Sequence, residues 1–276
     1  MPVPVMPKTL SAPAAGGKLL ARIHWLITFL LAAALLSTLV AFGEKSDSNW
    51  PEAWLLLLAT VSTLVALTHQ LPSQNILLGA FIIVFIGGMA HTVGVKSGIP
   101  FGPFMFGPEI GQKLFDTLPW TIPLLWVVAV LNSRGVARLI LRPWRKMRTY
   151  GFWLIGLTAL FTMLFDCALE PFAAHLKHYW IWTTTGYSLT PQGAPISNSV
   201  GWFIVTLLIL AFATPLLINK QLSKRSAPDF HPLAVWFGGI LLFAVAAALN
   251  GLWAAMAVDA VIGIVVAIFA VRGGRW

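Results

Sequence analysis

The chain has 276 residues, of which 58% are hydrophobic and 10% charged, with a formal net charge of +9. That balance excludes an ordinary soluble domain and predicts an all-α polytopic membrane helix bundle. The single Cys167 excludes an internal disulfide and a thiolate metal cluster, and the positive charge reads as loop charge that orients spans rather than as a nucleic-acid surface.

In chain order, residues 1–21 read as a cytoplasmic tail, because their basic residues lie near an apolar run too long for a signal peptide. Residues 22–272 read as one integral-membrane domain. A span needs about 20 mostly apolar residues. Eight stretches qualify: 22–42, 52–69, 75–95, 119–141, 150–172, 199–218, 232–249 and 252–271. Pro119 and Pro123 fall near the start of the fourth, where a missing N–H costs least. With both termini inside, only Lys45, Lys96, Lys113 and Lys177 of the 18 basic residues lie outside. That asymmetry supports an even number of spans, N-in and C-in, in the inner or plasma membrane. The basic run 134–148 reads as a lipid-headgroup anchor.

The long non-spanning segments, 96–118 and 173–198, both fall on the outer side and mix aromatics with Gly and Pro. Irregular backbone at membrane depth is tolerated where it is buried in protein or lines a cavity. Residues 98–111 are therefore expected to cap a pocket between the outer helix ends.

The acids gather on the same side. In "FDCALEPF", Asp166 and Glu170 are four apart, which puts both carboxyls on one helix face just before Pro171. Two such groups in a low dielectric do not both ionise cheaply, so the pair is expected to supply an acid and a base. The structural alternatives are a helix–helix hydrogen bond for Asp166 and a solvated interfacial position for Glu170. Asp259, in "MAVDAVIG", needs a partner, with His91 or Lys96 as candidates. Asn198 reads either as a helix N-cap or as a site residue, and Trp202 as an interface anchor or a pocket wall. These acids and His91 are expected to converge in one cavity. No phosphate loop, nucleophile elbow or redox motif is present, and the "HLKH" pair at 175–178 is a weak metal signal.

Two blocks carry a resemblance. The first is "GVKSGIPFGPFMFGPEIGQKL" (94–114) followed by "LPWTIPLLW", and the second is "FDCALEPFAAHLKHYWIWTTTGYSLTPQGAPISNSVGWF" (165–203). Together they resemble the carotenoid biosynthesis membrane-protein family that includes the carotenoid 1,2-hydratases. The similarity covers about residues 75–215. Phe104 and Phe106 stand where that pattern has tyrosines, Glu170 where it has Asp, and His91 where an acid precedes the glycine segment.

The resemblance implies addition of water to the terminal 1,2 double bond of an acyclic carotenoid, without metal or other cofactor. A carboxylic acid protonates C2, and water attacks the tertiary cation at C1. Asp166, Glu170, Asp259 and His91 are the catalytic candidates. Phe101, Phe104, Phe106, Glu109, Trp180, Trp182, Tyr187, Asn198 and Trp202 are the substrate-binding ones, their aromatic faces shielding the cation. The expected partners are a carotenoid or related isoprenoid and membrane lipid. Two rival classes share some of these features: a non-catalytic isoprenoid-binding protein and a small transporter.

Overall fold

The computed structural model describes residues 15–43, 50–183, 187, 194–218 and 227–276. Among them are eight long helices: α1 (Ala15–Gly43), α2 (Trp50–Leu67), α3 (Ser73–Ser97), α4 (Thr121–Ile140), α5 (Tyr150–Glu170), α6 (Ile196–Ala213), α7 (His231–Leu249) and α8 (Trp253–Gly274). Their apolar runs carry proline only near the N-terminal end, as at Pro123 and Pro232, where no intrahelical N–H is forfeited. The bundle is an all-α polytopic membrane fold. Six helices, α3 to α8, are long and apolar enough to cross a membrane, while the described apolar parts of α1 and α2 are shorter. Helix α1 begins at Ala15, so residues 15–21 of the expected tail are helical. The rest of the expected tail, 1–14, lies outside the described residues.

Helix α1 packs on α2, α3 on α4 and α6, α5 on α6 and α7 on α8, and α4 lies at the centre against α2, α3, α5, α7 and α8. Trp126, Ala129, Val130, Val136 and Ala137 of α4 have no exposed surface. The end of the bundle where α1, α3, α5 and α7 finish is here called upper, and the other lower.

The lower end is tied by polar side chains. Arg138 donates to Gln70, Gln70 donates to Asp229, and Arg134 donates to the Leu217 carbonyl beyond the end of α6. A cation at those terminal carbonyls is favoured by the helix dipole. Ser62 and His231 share a hydrogen bond, and the His24 ring lies 5.2 Å from that of His231 and 5.6 Å from that of His69.

The upper end is built by the two long connections, and here the sequence reading was incomplete. The chain after Glu170 does not break at Pro171. It continues as a π-helical turn, Pro171–Leu176, closed by a Lys177 N–H to Phe172 carbonyl bond. Both connections also contain strands. β1 (Phe104–Phe106) pairs antiparallel with β4 (Trp180–Trp182), and β2 (Lys113–Leu114) pairs with β3 (Leu118–Pro119). Gly107, at the end of β1, lets the two connections meet, since a Cβ there would overlap the His178 carbonyl oxygen.

Helices α3 and α4 meet at Gly87, where a Cβ would lie 2.4 Å from the Trp126 ring. Small residues permit such close helix approach in membranes. Gly87→Ala is expected to lower stability in detergent by about 1–3 kcal/mol, the usual cost of overpacking. Gly156→Ala, where a Cβ meets nothing within 4 Å, should leave stability unchanged or raise it by up to about 1 kcal/mol. Thermal unfolding of the two variants checks the pair.

Candidate functional site

Strand alternation explains how the aromatic residues converge. In the β1–β4 register, Phe104 faces Trp182 and Phe106 faces Trp180, with Met105 opposite Ile181. Successive strand residues point to opposite faces. Met105 and Ile181 are accordingly exposed, while Phe104, Phe106 and Trp180 are buried. The segment 98–111 thus roofs the helix ends together with β4. Its Phe101 carbonyl accepts a bond from Ser197 at the start of α6.

Beneath this roof lies a fully buried carboxyl pair. Asp166 and Glu170 project one turn apart from α5. The Asn198 amide of α6 bridges them, its Nδ2 donating to Asp166 Oδ2 at 2.7 Å and to Glu170 Oε1 at 3.1 Å. Glu170 Oε2 also accepts both indole N–H groups, from Trp180 and from Trp182, each at 3.1 Å. Glu170 therefore has three donors and acts only as an acceptor, the pattern suited to an ionised carboxylate. Asp166 has one donor, and its buried Oδ1 has no hydrogen-bond partner among the described residues. Asn198 is not an N-cap, since no side-chain cap bond forms at the start of α6.

His91 is enclosed by rings. Phe101, Phe104, Phe106, Trp126 and Trp202 have centroids 4.4 to 6.3 Å from its own. His91 Nδ1 lies 3.1 Å from the Trp126 indole N–H, which can only donate, and 3.3 Å from the Gly87 carbonyl, which can only accept. The two contacts make opposite demands on Nδ1, so either tautomer of a neutral ring satisfies one and not the other. Trp126 and Trp202 stack with centroids 3.9 Å apart.

Nine expected residues line one small cavity: His91, Phe101, Phe104, Phe106, Glu170, Trp180, Trp182, Asn198 and Trp202. Its volume is about 10 Å³, close to the least that holds a single water. Asp166 lies behind it, joined through Asn198. A second, far larger cavity of about 650 Å³ runs down the bundle between α1, α2, α4, α5 and α7. Trp180 lines both. Phe165 and Leu169 of α5, and Phe172 of the π-helical turn, line the large cavity.

Three expected site residues stand apart. Tyr187 is 91% exposed. Glu109 is also exposed, on the 3₁₀ turn Pro108–Ile110, whose buried member is Ile110. Asp259 is buried at the depth of Asp166, but neither His91 nor Lys96 pairs with it. It has no hydrogen-bond partner among the described residues, although it lies in electrostatic range of Cys167. Cys167 in turn contacts Ser199 at 3.5 Å.

Sequence reasoning gave no site role to Trp126, although it ends the quoted "LPWTIPLLW". It also passed over the alternation in "FMF" and "WIW", a strand signal too short to notice alone. Glu52 and Tyr179, discussed below, carried no motif. Among the described residues, no cluster of three or more His, Cys, Asp or Glu side chains is disposed to hold a metal ion.

Comparison with known proteins agrees with this geometry. The family described as "Carotenoid biosynthesis protein" matches residues 52–267. Bisanhydrobacterioruberin hydratase of Haloarcula japonica is 28% identical over 162 residues, which are 55% of this chain and 52% of that protein. The chain therefore spans about half the length of the curated relative it matches. No solved structure matches. The match to the family covers most of the chain, including every helix of the carboxyl site, and this protein belongs to the carotenoid biosynthesis protein family.

Proposed function

We propose that this protein is a cofactor-independent carotenoid hydratase of the cell membrane, adding water across the terminal 1,2 double bond of an acyclic end group. The observation that carries this reading is the Asn198 bridge, which holds two buried carboxyls with unequal hydrogen bonding beneath an aromatic cage. The related hydratase adds support.

In this mechanism Asp166 is the acid. It lies a turn deeper than Glu170, and one of its oxygens is uncommitted. Its proton passes to C2, and the alkene electron pair forms the new C–H bond. A tertiary cation results at C1. The cage rings, Phe101, Phe104, Phe106 and Trp202, present π faces to that charge. Glu170 holds the attacking water, whose oxygen bonds to C1 and whose lost proton moves to the Glu170 carboxylate. Return of that proton to Asp166 closes the cycle. The small cavity suits the water, and the large one suits the rest of the polyene. The end group passes between them by displacement of the Trp180 indole. His91, enclosed by the cage rings, orients the water rather than transferring a proton.

The excess of basic residues in the loops opposite the site supports an outer-side site with both termini inside. Reporter fusions after residues 145, 185 and 225 should then read inside, outside and inside. An inverted result would move the site to the inner face.

Asp166→Asn keeps the shape and removes the acid. Loss of a general acid costs about 10²–10⁴-fold in rate, so hydroxylated carotenoid should nearly vanish while the protein still inserts. Glu170→Gln should also impair turnover and divert the cation to proton loss. Lysates supplied with lycopene or γ-carotene, with pigments separated by chromatography, provide the readout. Hydration by Asp166→Asn at the wild-type rate would make Asp166 structural. A wild-type protein that hydrates neither pigment would favour a non-catalytic isoprenoid binder.

A further inference from the structure

The large cavity is more than a gap beside the carboxyl site. It contacts α7 from His231 to Phe243, twelve residue steps, which is roughly 18 Å of helix at the usual rise. Its volume of about 650 Å³ falls within the common range for ligand pockets, about 300–1,000 Å³. The middle is lined by aliphatic and aromatic side chains such as Leu35, Leu56, Leu125 and Leu242. This is a slot for a long, thin, apolar chain lying along the helices.

Its upper end is different. Glu52 and Tyr179 both line it there. Glu52 Oε1 is ion-paired with Lys177, while its other oxygen, Oε2, is buried without a hydrogen-bond partner. The Tyr179 hydroxyl is likewise buried and unpartnered among the described residues. Burial, and then the charges of Glu52 and Glu109, push the Tyr179 phenol above its ordinary value, so it remains a donor. An unmatched acceptor and an unmatched donor therefore belong to two residues that line one apolar space. Each costs stability unless something satisfies it.

We propose that the slot binds a long isoprenoid alcohol, with the chain along α7 and the hydroxyl held between Glu52 and Tyr179. An alcohol is the small group that donates to one and accepts from the other through a single oxygen. A carboxylate or phosphate end would face the Glu52 charge. A cationic end gains little, because Lys177 already neutralises Glu52. A hydrocarbon end leaves both groups unsatisfied. The proposal does not depend on chemistry at Asp166, although the tertiary alcohol made by hydration belongs to the same class.

The test uses phytol, which has no terminal isopropylidene group to hydrate. Labelled phytol is bound to the purified full chain in nonionic detergent and competed with unlabelled phytol, phytyl methyl ether or phytanic acid. Phytol should compete roughly tenfold better than the ether or the acid, the value of about one hydrogen bond. Tyr179→Phe and Glu52→Gln should each weaken phytol roughly five- to tenfold, by the same arithmetic, whereas the ether, which can accept from Tyr179 but cannot donate to Glu52, should weaken in Tyr179→Phe and stay unchanged in Glu52→Gln. Unchanged ether binding in Glu52→Gln also shows that this variant is folded. Val235→Trp, which fills the slot, should abolish binding of both. Absence of phytol binding, ether or acid binding as tight as phytol, equal loss of ether in the Glu52 and Tyr179 variants, or undiminished binding to Val235→Trp would each overturn the proposal. None of these results bears on hydration at Asp166, which the pigment assay reads separately.

Discussion

One side-chain amide organises the upper half of this molecule. Asn198 Nδ2 donates to both Asp166 and Glu170, and without that shared donor α5 and α6 would press two carboxyls together in a nearly water-free interior. Burying a polar group unpaired costs several kcal/mol in the least favourable media. The remaining elements complete what Asn198 begins. The β1–β4 ladder sets the spacing of the two indoles that donate to Glu170, and Gly107 allows that ladder to form. The π-helical turn after Glu170 carries the chain directly into β4, and such turns often occur at functional sites.

The aromatic cage follows from the same constraint. Phe104 and Phe106 have no hydroxyls, so they cannot bond to Glu170 and serve as apolar walls. The donors come instead from Trp180 and Trp182 on the opposite strand. His91 takes its place in the cage through Trp126, whose position depends on the absence of a side chain at Gly87. A polar pair surrounded by rings, with space for one small molecule, suits chemistry in which charge appears briefly and only a single water is admitted. Trp180 separates that space from the slot and holds Glu170 at the same time. Movement of that indole would therefore both open the passage and remove one of the two indole donors from Glu170 Oε2.

Much of this was legible in the sequence, for identifiable reasons. The span count follows from runs of apolar residues that lipid requires, and Asp166 with Glu170 from helical spacing. The gathering of His91, Phe101, Phe104, Phe106, Trp180, Trp182, Asn198 and Trp202 followed from the depth of the two loop segments and from the family pattern. What was hidden depended on pairing across distance. No local pattern shows that "FMF" meets "WIW" 76 residues later, Phe104 opposite Trp182 being the outer rung. Tyr187 and Glu109 resembled site residues because their neighbours are, yet both are exposed. Asp259 was expected to pair with His91, Lys96 or a polar group of the outer loops, and instead its Oδ2 has no hydrogen-bond partner among the described residues. The slot was invisible because it is lined by ordinary leucines from five helices.

The central claim is that the bridged pair holds one proton, on Asp166, while Glu170 is ionised by its three donors. Infrared spectroscopy of the detergent-solubilised protein at neutral pH tests it most directly, through the carbonyl stretch of a buried protonated carboxyl and its shift in D₂O. The account predicts such a band in the wild type, retained in Glu170→Gln and lost in Asp166→Asn. A band that disappears in Glu170→Gln and persists in Asp166→Asn would contradict the assignment and reverse the roles of the two acids.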